Sequence, residues 1–540
     1  MHGLMQSHSL LISSILEHAE RQHGSTEIVS RRDDGSLSRT TYANLASRAR
    51  RLARVLLGLG VCAGDRVATL AMNSDRHLEL YYAISGIGAV CNTINPRLSH
   101  DDIAFIAKHA EDGLIFVDPG FVPIVEAVAP RLAEVLRAVV ILGDEPNSAA
   151  VNLPPGIRLH DYETLLGEVS DDFAWPRMDE NSASGLCYTS GTTGRPKGVL
   201  YSHRSTVLCA MTMNFPDVVG LKAVDRVMPA VPMFHVNAWG LPFAAPMAGS
   251  ALIFAGRHLD PVSVLNLLND EHATVSASVP TVWIGLMAHL RETGARFATL
   301  QRILSGGAAF PRALLVEYAA LGIRIVHAWG MTESSPIASG NAPKPATATL
   351  DAEARFDQMA TQGRAVFGVE VQAHDDFGKL VPWDGRTQGN LVFRGHWVAS
   401  GYYRVAETPV DAGGWFPTGD VGVINAEGFI SLTDRTKDLI KSGGEWISSI
   451  ALENIAIAHP EVGEAAAIAI PDQKWGERPI LIVVPRAGRT PQPAQLRAFF
   501  EGKVPSWMIP DQVVIASKIP HGATGKILKT ELRRIYGGKP

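Results

Sequence analysis

Tyr188-Thr189-Ser190-Gly191-Thr192-Thr193-Gly194-Arg195-Pro196-Lys197-Gly198 packs three glycines, three threonines, a serine and a lysine into eleven residues. Leu186-Cys187-Tyr188 before it and Val199-Leu200-Tyr201 after it are short and apolar, so the pattern predicts a loop between two buried strands. Backbone N–H groups, hydroxyls and one ammonium can converge in such a loop on phosphate oxygens. The spacing is not that of the common P-loop, which needs Gly, four residues, then Gly-Lys-Ser/Thr. Here Pro196 stands five places after Gly191, and Gly198 follows Lys197.

Upstream of the loop, helix and strand patterns alternate. Leu45, Ala49, Leu52, Ala53, Leu56 and Leu57 recur at helical spacing, with Thr41 as a start cap and Gly58 or Gly60 as a stop. Strand patterns at 66–71, 89–94 and 114–117 enclose helical ones at 77–86 and 102–110, and 135–142 continues the series. Pro146 to Pro155 reads as a polar loop. The alternation predicts an α/β domain with a mostly parallel sheet. Downstream, 261–269 reads as a helix, and 275–279, 303–305 and 323–329 as strands. Residues 340–360, rich in Ala, Pro and Thr, read as loop. From 367 to 432 short strands with frequent glycine predict a smaller, twisted β subdomain. Charge density jumps at Asp434-Arg435-Thr436-Lys437-Asp438. The expectation is therefore two domains: 1–434, layered sheets with helices plus the β subdomain, and 435–540, a small α+β unit ending in a basic tail.

Size and composition agree with this. A chain of 540 residues with 46% hydrophobic residues can build more than one core. A net charge of −5 leaves no electrostatic footprint for nucleic acid. Cys62, Cys91, Cys187 and Cys209 lack metal or disulfide spacing and read as reduced thiols, and Met1 to Ser14 has no signal-peptide pattern, so a cytoplasmic location is expected. Between Arg226 and Arg257 there is no Asp, Glu, Lys or Arg, a length able to span a bilayer. Pro229, Pro232, Pro242 and Pro246 would break such a helix repeatedly, so a buried, irregular segment beside an apolar pocket is expected, with peripheral membrane contact left open.

The loop resembles the signature of the adenylate-forming superfamily, and further motifs of that family follow in order over most of the chain. They are 232–239 (Pro-Met-Phe-His-Val-Asn-Ala-Trp), 327–333 (His-Ala-Trp-Gly-Met-Thr-Glu), 418–420 (Thr-Gly-Asp), 434–448 and 524–529 (Thr-Gly-Lys-Ile-Leu-Lys). The sequence is similar to medium- and long-chain fatty-acyl-CoA synthetases, a branch that includes ligases for methylthio-propionate. In that family a carboxylate first displaces pyrophosphate from ATP, and the thiol of coenzyme A then takes the acyl group from the adenylate. Cations and a metal are needed because the first step brings a carboxylate against a triphosphate.

The resemblance assigns roles residue by residue. Thr189, Ser190, Gly191, Thr192, Thr193, Gly194 and Lys197 would cradle phosphate, with Thr189 and Glu333 at a magnesium site. Asp420 would accept the ribose hydroxyls with Arg435 as its partner. Trp329 would flank the adenine, with His327, Ala328 and Thr332 around it, and Gly307 would let the base approach the backbone. Val236 and Trp239 would form the gate of an acyl tunnel. Lys526 would be the catalytic lysine of the adenylation step, and Lys529 a solvated tail lysine. Lys437 would be the hinge of a mobile C-terminal domain, and Lys441, Glu445 and Trp446 a segment that reaches the site in one of its two poses. His521-Gly522-Ala523 departs from the family's usual Pro-basic-Thr just before Lys526.

The implied ligands are a small carboxylic acid, ATP (leaving as AMP), magnesium and coenzyme A. A homodimer stays open. A short-acid ligase on the same scaffold, a peptide-synthetase adenylation module, a non-catalytic nucleotide-binding protein and a light-emitting oxidase are the alternatives. A chain ending at Pro540 without a carrier domain is not expected of the second of these. Retention of Lys197, Glu333 and Lys526 speaks against the third.

Overall fold

The hairpin that carries the phosphate-type loop closes one edge of a seven-stranded sheet. Its strands Ala183–Thr189 and Lys197–Ser202 are antiparallel, with Thr189 opposite Lys197. The computed structural model describes the chain apart from His2, 144–150, 190–194, Ala348, Gly444, 523–525 and 538–540. Ser190, Gly191, Thr192, Thr193 and Gly194 therefore lie outside the described residues, as do Thr524 and Gly525 and part of the 146–155 loop.

The rest of that sheet is parallel and runs Arg158–Asp161, Ala138–Ile141, Leu114–Val117, Arg66–Leu70, Val90–Thr93, then the hairpin. Its central strands are buried on both faces, which their continuous apolar runs require. The helix Tyr42–Gly58 starts where Thr41 accepts from the Asn44 N–H, and its apolar stripe, Leu45, Ala49, Leu52 and Leu56, is fully buried. Asp75–Gly86 lies against it and is buried on every side, so its sequence shows little periodicity.

A nine-stranded sheet forms the second layer. Five of its strands, Arg324–Trp329, Arg302–Ser305, Val275–Ser278, Arg226–Pro229 and Ala251–Phe254, are parallel in that order, and Glu27–Arg31 extends them. The site residues at 305–307 and 327–333 lie at or just beyond the carboxyl ends of two adjacent parallel strands. In open α/β sheets that end is where ligands bind. The β subdomain is a four-stranded antiparallel sheet, Val369–His374, Gly389–Gly395, Phe416–Ile424 and Ile430–Arg435. The small C-terminal unit is built on Val462–Asp472 paired with Gly476–Pro485, flanked by Ile440–Ser442, Glu445–Ile447 and Gln512–Ile515. The expected architecture of a large layered α/β unit, a β subdomain and a small α+β unit is present.

Two local expectations fail. The 340–360 stretch is not all loop: Asp351 accepts from the Ala354 N–H at 2.8 Å and opens a helix over Ala352–Ala360. Glu353 and Asp357, one turn apart, both grip Arg312, and so fasten this helix to its neighbour. The basic tail is also helical, over Lys529–Tyr536, with Leu532 buried. Lys529 is not a solvated lysine. Its ammonium is buried 2.8 Å from Glu453 on the helix Ser449–Ile457 and also contacts the Ser449 hydroxyl. Nothing in the tail's composition names that partner.

The charge-free segment folds as a strand, a turn, the helix Leu241–Ala248 and the strand Ala251–Phe254. Among the described residues no helix is long and apolar enough to cross a membrane. Between strand and helix, Val236, Asn237, Ala238 and Trp239 all have positive φ, 47°, 52°, 46° and 56°. Four consecutive non-glycine residues thus make a left-handed turn, a conformation that costs about 1–2 kcal/mol per L-residue. Such strain persists only where the surroundings over-determine it. Here Asn73 donates from its amide to the Pro229 and Val231 carbonyls and accepts from the Met233 N–H. The Tyr81 hydroxyl holds the Met233 carbonyl.

Candidate active site

Asp420 links the β subdomain to the parallel sheet. The Trp329 indole N–H donates to its Oδ2 at 2.8 Å, and Arg435 Nε lies 3.2 Å from its Oδ1. Asp420 and Arg435 are directly opposed across two antiparallel strands, which is why a Thr-Gly-Asp and an Asp-Arg-Thr fifteen residues apart in the sequence meet. Trp329 itself is buried, its ring 5.9 Å from that of Phe393. The structure therefore makes Trp329 a donor that orients the carboxylate. His327 is buried beneath the site and held neutral by desolvation, its pKa down at about 4. Ala328 pairs through its backbone with Gly340.

Glu333 sits in a short turn, Thr332–Ser334, just past the end of the same strand, which the Tyr201 hydroxyl fixes by donating to the Thr332 carbonyl at 2.8 Å. Gly330 is required at the bend: a β-carbon there would fall 1.9 Å from the Pro336 carbonyl oxygen. Glu333 is 3% exposed, and burial pushes its carboxyl above the usual range, against the opposing pull of Tyr402, Arg435 and Lys526. The Tyr402 hydroxyl donates to Glu333 Oε1 at 2.7 Å, and the Lys197 ammonium lies 4.8 Å from the Tyr402 ring centre. One tyrosine thus connects the base of the phosphate-type hairpin to the buried carboxylate. The segment around it is pinned at both ends, Ala399 N–H to the Glu333 carbonyl and Tyr403 N–H to the Gly198 carbonyl, each at 2.8 Å. Tyr402 carries no family motif among those quoted above and lies in an aperiodic stretch, so the sequence left it unmarked.

Lys526 reaches this cluster from the far end of the chain. A β-carbon on Gly307 would lie 3.5 Å from Lys526 Cε, and Gly307 itself has φ +81°. The charges that shape Lys526 are Arg435, Asp420, Glu333 and Lys437, but burial is the largest influence, and together they bring its pKa down to about 8. Among the described residues it forms no ion pair within 4 Å. His235 is kept neutral, pKa about 3, by burial and then by the Lys526 charge. Lys437 stands at the junction of the two units. Its carbonyl accepts from Arg533, whose guanidinium also pairs with Asp438 at 2.6 Å. Lys441 is exposed, its ammonium 5.9 Å from the Trp446 ring centre, and neither is among the groups that set the charge around Lys526.

The left-handed turn forms the remaining wall. The Trp239 ring lies 3.7 Å from where a Gly306 β-carbon would be. On its other side Asn237, near Cys187 Sγ at 3.6 Å, lines a cavity of about 10 Å³ with Tyr81, Ser85, Cys91, Phe243 and Ile12. The Ser85 and Tyr81 hydroxyls there are spent on the carbonyls of Tyr81 and Met233.

A buried carboxylate, a ring of cations and an oriented aspartate beside two strand ends suit a nucleotide triphosphate. Comparison with known proteins decides the family. The sequence model described as AMP-binding enzyme matches residues 15–403, and that described as AMP-binding enzyme C-terminal domain matches residues 451–526. The chain belongs to the AMP-binding enzyme family. Within it, the chain is 46% identical over 534 residues to a 3-methylmercaptopropionyl-CoA ligase of Ruegeria lacuscaerulensis, covering 99% of this chain and 98% of that one. It is 44% identical over 538 residues to a medium-chain fatty-acid–CoA ligase of Ectopseudomonas oleovorans, again covering 99% and 98%. A crystal structure of ATP-bound MatB from Rhodopseudomonas palustris superposes with a TM-score of 0.82 at 26% identity, over 98% of this chain and 99% of that one. As an AMP-binding enzyme this chain binds ATP and AMP.

Proposed function

We propose that this acyl-CoA ligase joins unbranched aliphatic acids of medium or long chain to coenzyme A through an acyl-adenylate. The observation that carries the reading is the delivery of Lys526 onto Gly307, within reach of the charges of Asp420 and Glu333. In this arrangement Asp420, oriented by Trp329 and Arg435, accepts from the ribose hydroxyls. Lys197 and the 190–194 loop take the outer phosphates. Lys526 neutralises charge that builds on the α-phosphate and carboxylate oxygens as pyrophosphate leaves. Half-buried His235, kept neutral, and the Trp239 ring exclude water from the reacting carboxylate.

The residues fit magnesium as that ion is normally bound, with one carboxylate and a hydroxyl from protein and the remaining oxygens from phosphate and water. Glu333 and Thr189 would hold it, and it would supply charge neutralisation at the phosphates. For the second step we take the unit after residue 434 to turn about Lys437, so that Lys526 withdraws and the segment of Lys441 and Trp446 enters.

A second reading, activation of a short thioether acid, is favoured by the 46% identity to a 3-methylmercaptopropionyl-CoA ligase. The two readings differ in chain-length response. A tail that fills an apolar tunnel gains about 0.8 kcal/mol per methylene, so kcat/KM should rise at most a few-fold per carbon until the tunnel ends. The test is AMP release with acids from acetate to palmitate and with 3-methylthiopropionate, with and without coenzyme A. A rise to a plateau at six or more carbons supports the first reading. A maximum at the thioether acid supports the second, and a maximum at acetate or an aromatic acid removes both.

A further inference from the structure

Lys526 has no long element behind it. It rides on a short antiparallel pairing held by two hydrogen bonds, Leu528 N–H to the Pro520 carbonyl at 2.9 Å and Gly522 N–H to the Lys526 carbonyl at 2.7 Å, which set His521 opposite Ile527. Without an ion pair of its own among the described residues, Lys526 takes its place from the backbone that carries it. Among the described residues two polar side chains tie this backbone to the small unit: Lys529, through Glu453, and His521 on the opposite arm. His521 Nε2 lies 2.5 Å from Glu464 Oε1, on the strand Val462–Asp472, at a partly buried position. Beside it, Ile527 packs on the cluster of Ala466, Ile468 and Ile482.

We propose that the His521–Glu464 pair is a positioning device for Lys526, clamping the hairpin to the small unit's sheet so that the ammonium arrives where charge develops. The inference rests on the reading of Lys526 as the adenylation lysine. Geometry makes the link direct. His521 opposes Ile527, the next residue after Lys526, and Gly522 grips the Lys526 carbonyl, so any movement of 521–522 moves the lysine. The hydrogen bond to Glu464 raises the imidazole above its ordinary pKa, which favours its protonated form. A half-exposed pair of this kind adds little to stability. Its effect belongs in the placement of a reacting group, where a misplacement of about 1 Å can cost about a hundredfold. It also gives a physical use to the residues that depart from the family pattern just before Lys526.

The experiment measures two half-reactions separately in the full-length protein: single-turnover pyrophosphate release from acid and ATP, and acyl transfer to coenzyme A from supplied acyl-adenylate. His521→Ala and Glu464→Gln should each slow pyrophosphate release roughly ten- to a hundredfold. The double variant should be no slower than either single one. Acyl transfer and the melting temperature should stay near wild type. His521→Arg should recover most of the rate with Glu464 in place and none of it beside Glu464→Gln. Wild-type pyrophosphate release in either single variant, or equal loss of both half-reactions, overturns the clamp. Lys526→Ala run in parallel separates the two levels of the argument. If it adenylates normally, the reading of Lys526 falls and the clamp with it. If it fails while the His521 and Glu464 variants adenylate normally, only the clamp falls.

Discussion

Glu333 Oε1 accepts a 2.7 Å hydrogen bond from the Tyr402 hydroxyl, and the same ring faces the Lys197 ammonium. The hydrogen bond favours the ionised carboxylate, in opposition to the burial that raises its pKa. Tyr402→Phe removes the stabilising contact and leaves the burial, so the carboxyl should ionise at still higher pH. A hydrogen bond to a charged group contributes about 1.5–3 kcal/mol. The acid limb of the pyrophosphate-release profile should therefore move to higher pH, with a loss of roughly ten- to a hundredfold on its acid side. A profile that superimposes on wild type would remove Tyr402 from the account.

Trp329→Phe separates the ring from its donor. The ring can still pack beside Phe393, but Asp420 Oδ2 loses the indole N–H. Since the aspartate is read as binding ribose in both ground and transition states, the loss should appear as a higher KM for ATP, roughly tenfold, with kcat changed less. An unchanged KM would show that Arg435 alone orients the carboxylate.

The lowered pKa of Lys526, about 8, sets the alkaline limb. The ammonium is present below that pH and is lost above it, so the rate of pyrophosphate release should fall as pH rises through 8. Arginine keeps its charge throughout this range. Lys526→Arg, even at a lower absolute rate, should lack that limb when release is followed from pH 7 to 10. The same descending limb in the arginine variant would place its origin elsewhere.

Trp239 ends the left-handed turn and stands against Gly306. Trp239→Ala should flatten or shift the chain-length profile while leaving the KM for ATP within about twofold, because the ring is read as touching the acyl tail and not the nucleotide. Competition between hexanoate and dodecanoate measures this, and an unaltered ratio would contradict the assignment.

What the sequence shows and what it hides divide along physical lines. Strands buried on both faces announce themselves as apolar runs, and the 188–198 hairpin by its glycines and hydroxyls, so the layered α/β architecture was legible. The partners of polar groups were not. Trp329 is expected beside the adenine, but nothing in the sequence states that its N–H would find Asp420, 91 residues on. Tyr402 sits in a stretch without period or motif. The left-handed turn is not legible because Val, Ala and Trp carry no turn signal, and the segment before it is held by Asn73 and Tyr81, which are distant in sequence. Ala352–Ala360 was hidden by the Pro- and Thr-rich residues before it, and Lys529 by an acidic partner on another helix.

The central claim is that Lys526, carried in from the C-terminal unit, drives formation of an acyl-adenylate. The most direct measurement mixes enzyme, ATP, magnesium and decanoate without coenzyme A and follows enzyme-bound decanoyl-adenylate by mass spectrometry in one turnover. Wild-type protein should accumulate it with stoichiometric pyrophosphate, and Lys526→Ala should form it about 10²- to 10³-fold more slowly while still binding ATP. Wild-type rates of decanoyl-adenylate formation in Lys526→Ala would contradict the account.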